Sequence, residues 1–285
     1  MATSYYLLLL LLIAASASLP ANCNLSKHHY RSSCPQALSI VQAGVKAAVK
    51  NETRTAASLL RLHFYDCFVN GCDGPLMLDD TASFIRFNVV DDIKANMEKK
   101  ACPCVVSCAD ILAIAARDSV VDLGGPSWKV RLERRDSTTV SRTAANTSIR
   151  RPTSNLSALI SSFSAQGLSL KHIVALTGLA RRTTFRENIY NGWNIDISFT
   201  ESLLQICPAS GNDSALANID LQTPTFLHSD QELFNGNSAD SLVKGYADDI
   251  SVFVKDFARA TIKMGNISAL TGSAGQIRIN CRKVN

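Results

Sequence analysis

The chain has 285 residues, with 29 Lys and Arg against 24 Asp and Glu for a net charge of +5, and 46% of its residues are hydrophobic. That much apolar material builds a sizeable core and excludes disordered, collagen-like and low-complexity scaffolds. The basic residues are scattered with no block longer than a pair, which argues against a nucleic-acid binder, because tracking phosphates needs a basic patch or stripe.

In chain order, the first segment is uncharged up to Asn24, with an apolar run from Leu7 to Ala15 followed by small residues up to Cys23. This pattern predicts a secretory signal peptide over residues 1–23 and a mature domain over 24–285. The run is shorter than the ~20 residues of a membrane span, so a soluble, secreted protein with no membrane partner is expected. Gln36–Asn51 and Thr55–Phe68 read as helices. Ser107–Leu123, rich in Ala, Ile and Leu, reads as a third that stops at Gly124-Gly125-Pro126. Trp128–Leu132 is the best short strand candidate. Leu156, Leu159, Ile160 and Phe163 fall at helical spacing, with Thr153 or Ser154 as the cap and Gly167 as the stop. Tyr246–Met264 reads as one long amphipathic helix closed by Gly265. Helical periodicity dominates throughout, so the expected fold is mainly α.

Nine cysteines stand at 23, 34, 67, 72, 102, 104, 108, 207 and 281, and loss of Cys23 with the leader leaves an even eight. Disulfides are the better reading of the Cys102-Pro-Cys104…Cys108 cluster, since no second CxxC or His pair completes a zinc site. Six N-x-[ST] sequons, at Asn24, Asn51, Asn146, Asn155, Asn212 and Asn266, agree with passage through a glycosylating compartment.

The segment Arg61-Leu-His63-Phe64-Tyr65-Asp66-Cys67-Phe-Val69-Asn-Gly71-Cys72-Asp73-Gly74 resembles the distal-haem segment of secretory plant peroxidases. The resemblance covers nearly the whole mature chain. It takes in Val106-Ser-Cys108-Ala-Asp110, Gly124-Gly-Pro-Ser-Trp128, Arg134-Arg-Asp136, Ser229-Asp-Gln231, Lys263-Met-Gly265, and Gly275-Gln-Ile-Arg278 with Cys281. It implies a disulfide-bridged, haem-peroxidase-like helical fold, located outside the cell in the wall or apoplast. Haem b and calcium would be its cofactors, and hydrogen peroxide and phenolic donors its substrates, with the chain acting as a monomer. Implied disulfides are Cys34–Cys102, Cys67–Cys72 and Cys108–Cys281. Arg61 would stabilise charge on the departing oxygen. Asp66, Val69, Gly71 and Asp73 would hold a distal calcium, and Asp220 and Thr223 remain from a proximal one.

The resemblance also exposes departures. Peroxide cleavage needs a base that moves a proton from one oxygen to the other, in the family a His four residues after the Arg and so on the same helix face. Position 65 is Tyr. A phenol with an ordinary pKa near 10 is ionised to only about one part in ten thousand at pH 6, and loss of such a base costs roughly 10²–10⁴ in rate. His63 lies about 200° around the helix from Arg61 and does not replace it; a core role is expected for it. The family's Val-Ala-Leu-Ser-Gly runs into Ala-His-Thr, whose His binds the iron. Here Val174-Ala-Leu-Thr177-Gly178 passes directly to Leu179-Ala180-Arg181-Arg182, with that His missing. His172, six residues before Gly178, is a poor substitute.

Further stretches are shortened after Phe84 and after Thr225, Pro75 removes the last hydroxyl of the distal calcium site, and Arg182 replaces the cysteine that would pair with Cys207. Arg150 replaces a donor-site Pro. The leading expectation is therefore a secreted haem-peroxidase relative, impaired or inactive. One alternative is a non-catalytic relative that binds acidic cell-wall polysaccharide. Another is an unstable product of an incomplete gene.

Overall fold

A computed structural model describes residues 25–78, 88–139, 148, 154–176 and 232–285. Residues 1–23, the segment after Gly178, Arg150, Cys207, Asp220, Thr223 and the sequons at Asn24, Asn146 and Asn212 lie outside the described residues. In the described part the chain is mainly helical, with two isolated antiparallel bridges, Ser26 with Leu132 and Asp136 with Gln276.

The helices are α1 (Tyr30–Ser33), α2 (Ala37–Asn51), α3 (Arg54–Phe68), α4 (Asn88–Lys100), α5 (Cys108–Asp122), α6 (Leu156–Ala165), α7 (Leu170–Leu176), α8 (Asp240–Asp248) and α9 (Ile250–Met264), with a 3₁₀ turn at Pro75–Met77. α5 starts where Ser107 Oγ accepts the Asp110 N–H at 3.1 Å. Asp136 adds to this from a distant segment: its carboxylate accepts the Cys108 and Ala109 N–H groups at 3.1 and 2.9 Å, placing negative charge at the positive helix end. α6 is capped by Asn155, whose Oδ1 accepts the Ala158 N–H at 3.0 Å, and it ends at Gly167 with a φ of 71°. The expected cap at Thr153 or Ser154 is corrected by one residue.

Two other expectations are revised. Within Trp128–Leu132 only Leu132 pairs, with Ser26, so among the described residues no strand ladder forms there. The single helix over Tyr246–Met264 is two, α8 and α9, broken at Asp249. There the backbone is extended (φ −139°) and the side chain accepts the Ser251 N–H at 2.8 Å.

Two apolar clusters hold the described helices. The first gathers Val41 and Val45 of α2, Leu59 and Leu62 of α3, Ile93 and Met97 of α4, and Ile111, Leu112 and Ile114 of α5. The second gathers Phe68, Phe163, Ile173, Leu176, Ala260 and Met264 from the end of α3 and from α6, α7 and α9. α3 is thus the wall between them. Three disulfides tie the chain: Cys34–Cys102, Cys67–Cys72 and Cys108–Cys281, the last across 173 residues. Cys104 is exposed and in no disulfide.

Candidate functional site

α3 carries the candidate site because its faces are divided. Leu59, Leu62 and Asp66 are buried on one side and Cys67 and Phe68 on another, while Arg61 and Tyr65 are half-buried one turn apart on a third. The Tyr65 ring lies edge-on to Phe64 at 5.9 Å and packs beside the first apolar cluster. The face therefore presents a guanidinium and a phenol together.

His63 does not join them. It is 4% exposed, its Nδ1 is 3.7 Å from Cys67 Sγ, and a Cβ added at Gly265 would lie 3.4 Å from its Nε2. Cys67 is in a disulfide and can only accept, so Nδ1 carries the ring proton. Burial, with repulsion from Arg134, pushes this imidazole down to about 3. It is a neutral core residue.

His172 is half-exposed near the start of α7. The Ser169 N–H donates to its Nδ1 at 2.9 Å, and Ser169 Oγ is 2.7 Å away. A backbone N–H can only donate, so Nδ1 holds the lone pair and the proton of the neutral ring sits on Nε2. Burial and Lys263 hold its pKa below the ordinary histidine value, which favours this neutral form. The ring completes a helix-capping contact and has no outward lone pair for a metal. His28 and His29 stand beside Arg31 and Glu133 at the beginning of the described chain.

Beyond α3, the turn 69–74 forms a second constellation. The Cys67–Cys72 bridge closes it, and Cys72 N–H donates to Ile267 O at 3.1 Å, which clamps the turn onto the segment after α9. Gly71 sits at φ 126°, and a Cβ there would lie 2.5 Å from Ser268 O, so only glycine permits the approach. Asp66 and Asp73 are 1% and 5% exposed. Asp66 Oδ2 accepts the Gly74 N–H at 3.1 Å, but Oδ1 of each carboxylate is buried with no hydrogen-bond partner. Burial, then the charge of Asp73, holds Asp66 well above the usual carboxylate range, and burial raises Asp73 to about 6.

Two buried carboxylates whose pKa values are both raised by burial, each with an unpartnered oxygen, form a cradle that fits a hard cation. The Val69 and Gly71 carbonyls lie in the same turn, although Gly71 O already accepts the Asp73 N–H at 3.0 Å. Position 75 is Pro, with no side-chain oxygen. Among the described residues no group of three or more His, Cys, Asp or Glu is placed to hold a metal, so such a cation would depend on these two carboxylates and on carbonyls.

The sequence reading missed Arg278 and Asp136 as part of this constellation. Arg278 is fully buried and donates to Gly74 O at 2.8 Å, Ser137 O at 2.6 Å and Cys281 O at 3.1 Å. It supplies positive charge to the two carboxylates. Nothing local in the tail signals this, because two of these three partners lie about 140 and 200 residues away in sequence. Arg134 is likewise buried, donating to Asp110 Oδ1 at 2.9 Å and to Gly265 O. Asp110 also accepts from Tyr30 Oη at 2.7 Å.

The family model described as Peroxidase matches residues 41–249. The chain is 51% identical to Peroxidase 4 of Vitis vinifera, over 93% of each chain. It is 50% identical to Peroxidase P7 of Brassica rapa subsp. rapa, over 92% of this chain and all of that one. It is also 50% identical to Peroxidase 67 of Arabidopsis thaliana, over 92% of this chain and 94% of that one. The first of these alignments runs over 300 positions, whereas 93% of 285 residues is about 265, so about 35 positions fall opposite gaps in this chain.

Proposed function

The chain belongs to the peroxidase family, and from that premise we propose that it is an extracellular member whose peroxide-cleaving machinery is incomplete. The family suggests haem and calcium as cofactors, and hydrogen peroxide with an electron donor as substrates. The observation that carries the proposal is the face of α3: Arg61 and Tyr65 stand together on it, and the one histidine of the helix is buried elsewhere.

Arg61 supplies the cation that would stabilise negative charge on a departing oxygen. Tyr65 stands where the proton-moving base belongs, and a phenol releases its proton several pH units above an imidazolium. Haem does not fit the described histidines. His63 is walled in by Cys67, Gly265 and Arg134, and His172 holds its proton on the nitrogen that would face iron. The Gly178–Leu179 junction, where the proximal ligand is missing from the sequence, lies outside the described residues. Loss of the base and loss of the iron ligand are separate defects, and either alone lowers turnover.

Asp66, Asp73 and the Val69 and Gly71 carbonyls would hold the calcium, weakened by Pro75. Secretion is supported by the uncharged apolar leader, the disulfides and the sequons. Phenols are the expected donors, and the mature domain would run over 24–285 as a monomer.

The test is an absorption spectrum of the purified chain after supply of haem, with haem stoichiometry and oxidation of a phenolic donor. The expected result is well below one haem per chain and negligible turnover, with Tyr65→His alone restoring neither. A Soret band at unit stoichiometry, or strong donor oxidation by that single variant, would overturn the reading. A second reading, binding of acidic polysaccharide, is supported by α9, where exposed Lys255, Arg259 and Lys263 stand one turn apart. It predicts retention on polygalacturonate that is lost with added salt.

A further inference from the structure

The corner between α2 and α3 carries a feature that the α3 site does not use. Asn51 is the last residue of α2, and Asn51-Glu52-Thr53 is an N-glycosylation acceptor, with both Asn51 and Thr53 exposed. Beside it a cleft of about 430 Å³ opens between α2 and α4, and Asn51 forms part of its wall. That volume lies in the range of sites for small organic groups.

The lining is chemically divided. Ile40, Ala48 and Ile93 give it an apolar side, while Asn88, Asp92 and Asn96 give it a rim of amides and a carboxylate. A pyranose has the same division, with C–H groups on its faces and hydroxyl or acetamido groups around its edge, so it can meet both sides at once. One end of the cleft is set by packing that leaves no slack. A Cβ at Gly44 would lie 2.5 Å from Ile93 Cγ1, so the two helices touch there.

We propose that Asn51 carries an N-linked glycan whose first N-acetylglucosamine residues seat in the α2–α4 cleft. Asn51 Nδ2 forms a bond to the anomeric carbon of a lipid-diphosphate oligosaccharide. The C1–O bond to the diphosphate breaks, the lipid diphosphate leaves with the bonding pair, and the amide proton passes to water. The modification rests on the secretory reading above, because the glycosyl donor is met in that pathway. Asn155 is the internal comparison: it is an exposed sequon whose Oδ1 caps α6, and it lies outside the cleft.

The test uses the full chain expressed with its leader in plant or insect cells. Glycopeptide mass spectrometry of the medium is expected to show Asn51 modified. Hydrogen exchange of that chain is then compared with the Thr53→Ala variant, which loses the acceptor and keeps Asn51, and with folded wild type whose glycans are trimmed off at the asparagine by a peptide N-glycosidase. Exchange over residues 44–52 and 88–96 is expected to be several-fold faster in the variant and after trimming, while 155–165 is unchanged. Asn51 unmodified beside a modified Asn155 overturns the site. A modified Asn51 with exchange unchanged in both comparisons overturns the seating. A chain retained in the cell with its leader intact and every sequon bare overturns the secretory reading and the proposal with it, whereas a chain in the medium with bare sequons overturns the proposal alone.

Discussion

Burial decides the chemistry of His63. Its imidazole is forced neutral by the low-dielectric surroundings and by Arg134, with a folded-state pKa of about 3 against about 6.5 for an unfolded histidine. The folded chain thus binds fewer protons than the unfolded one between those values. The contribution of this neutral histidine is present in full above pH 6.5 and is lost as the pH falls towards 3, by about 1.4 kcal/mol per pH unit. Asp73, raised to about 6, acts with the opposite sign over roughly pH 4 to 6, so the curve of the whole protein is flattened there. Comparison with a His63→Asn variant isolates the histidine. The stability gap between wild type and variant, measured by denaturant unfolding, is expected to be widest near pH 7 and to shrink as the pH falls to 4. A gap independent of pH would show that His63 titrates in the fold as it does in the unfolded chain. That His63 leaves the Arg61 face was legible from i, i+2 spacing alone. Its neutral state was not, because that depends on how completely the fold buries it and on Arg134, which is remote in sequence.

Among the helices, a terminus was legible where one residue type caps it and illegible where a tertiary partner decides. Ser107 is fully buried, and its hydroxyl satisfies the Asp110 N–H. Ser107→Ala removes that acceptor, and a loss of about 1 kcal/mol in thermal or denaturant unfolding is expected; no loss would mean that Asp136 caps α5 unaided. α8 and α9 merge in a periodicity reading because apolar spacing continues past Asp248. The break comes from the Asp249 side chain taking the Ser251 N–H in place of a continuing helix. α4 escapes such a reading for a different reason. Its buried face includes Lys94, 1% exposed, whose ammonium reaches Val106 O at 2.6 Å and Glu98 at 2.6 Å. A charged residue in the apolar stripe hides the pattern, and only the neighbouring loop explains why it is tolerated.

Over the whole molecule, the 69–74 turn, the start of α5 and the C-terminal tail meet through Asp66, Asp73, Asp136 and Arg278. A cation bound by Asp66 and Asp73 would be held by the folded chain and not by the unfolded one, so it stabilises by mass action, about 2.7 kcal/mol at a hundredfold excess over its dissociation constant. Added calcium is expected to raise the unfolding temperature of the chain and a chelator to lower it, with Asp66→Asn insensitive to both. A calcium response unchanged in that variant would place the ion elsewhere. The amino-acid sequence by itself determined the mainly helical class, the divided faces of α3 and the phenol that shares a face with Arg61, because these depend on residue type and short spacing. Tertiary structure alone decided the burial of Arg278 against carbonyls up to 204 residues away, the tautomer of His172 and the pairing of buried carboxylate oxygens. Those depend on which groups are shut away from water together, and no local pattern encodes that.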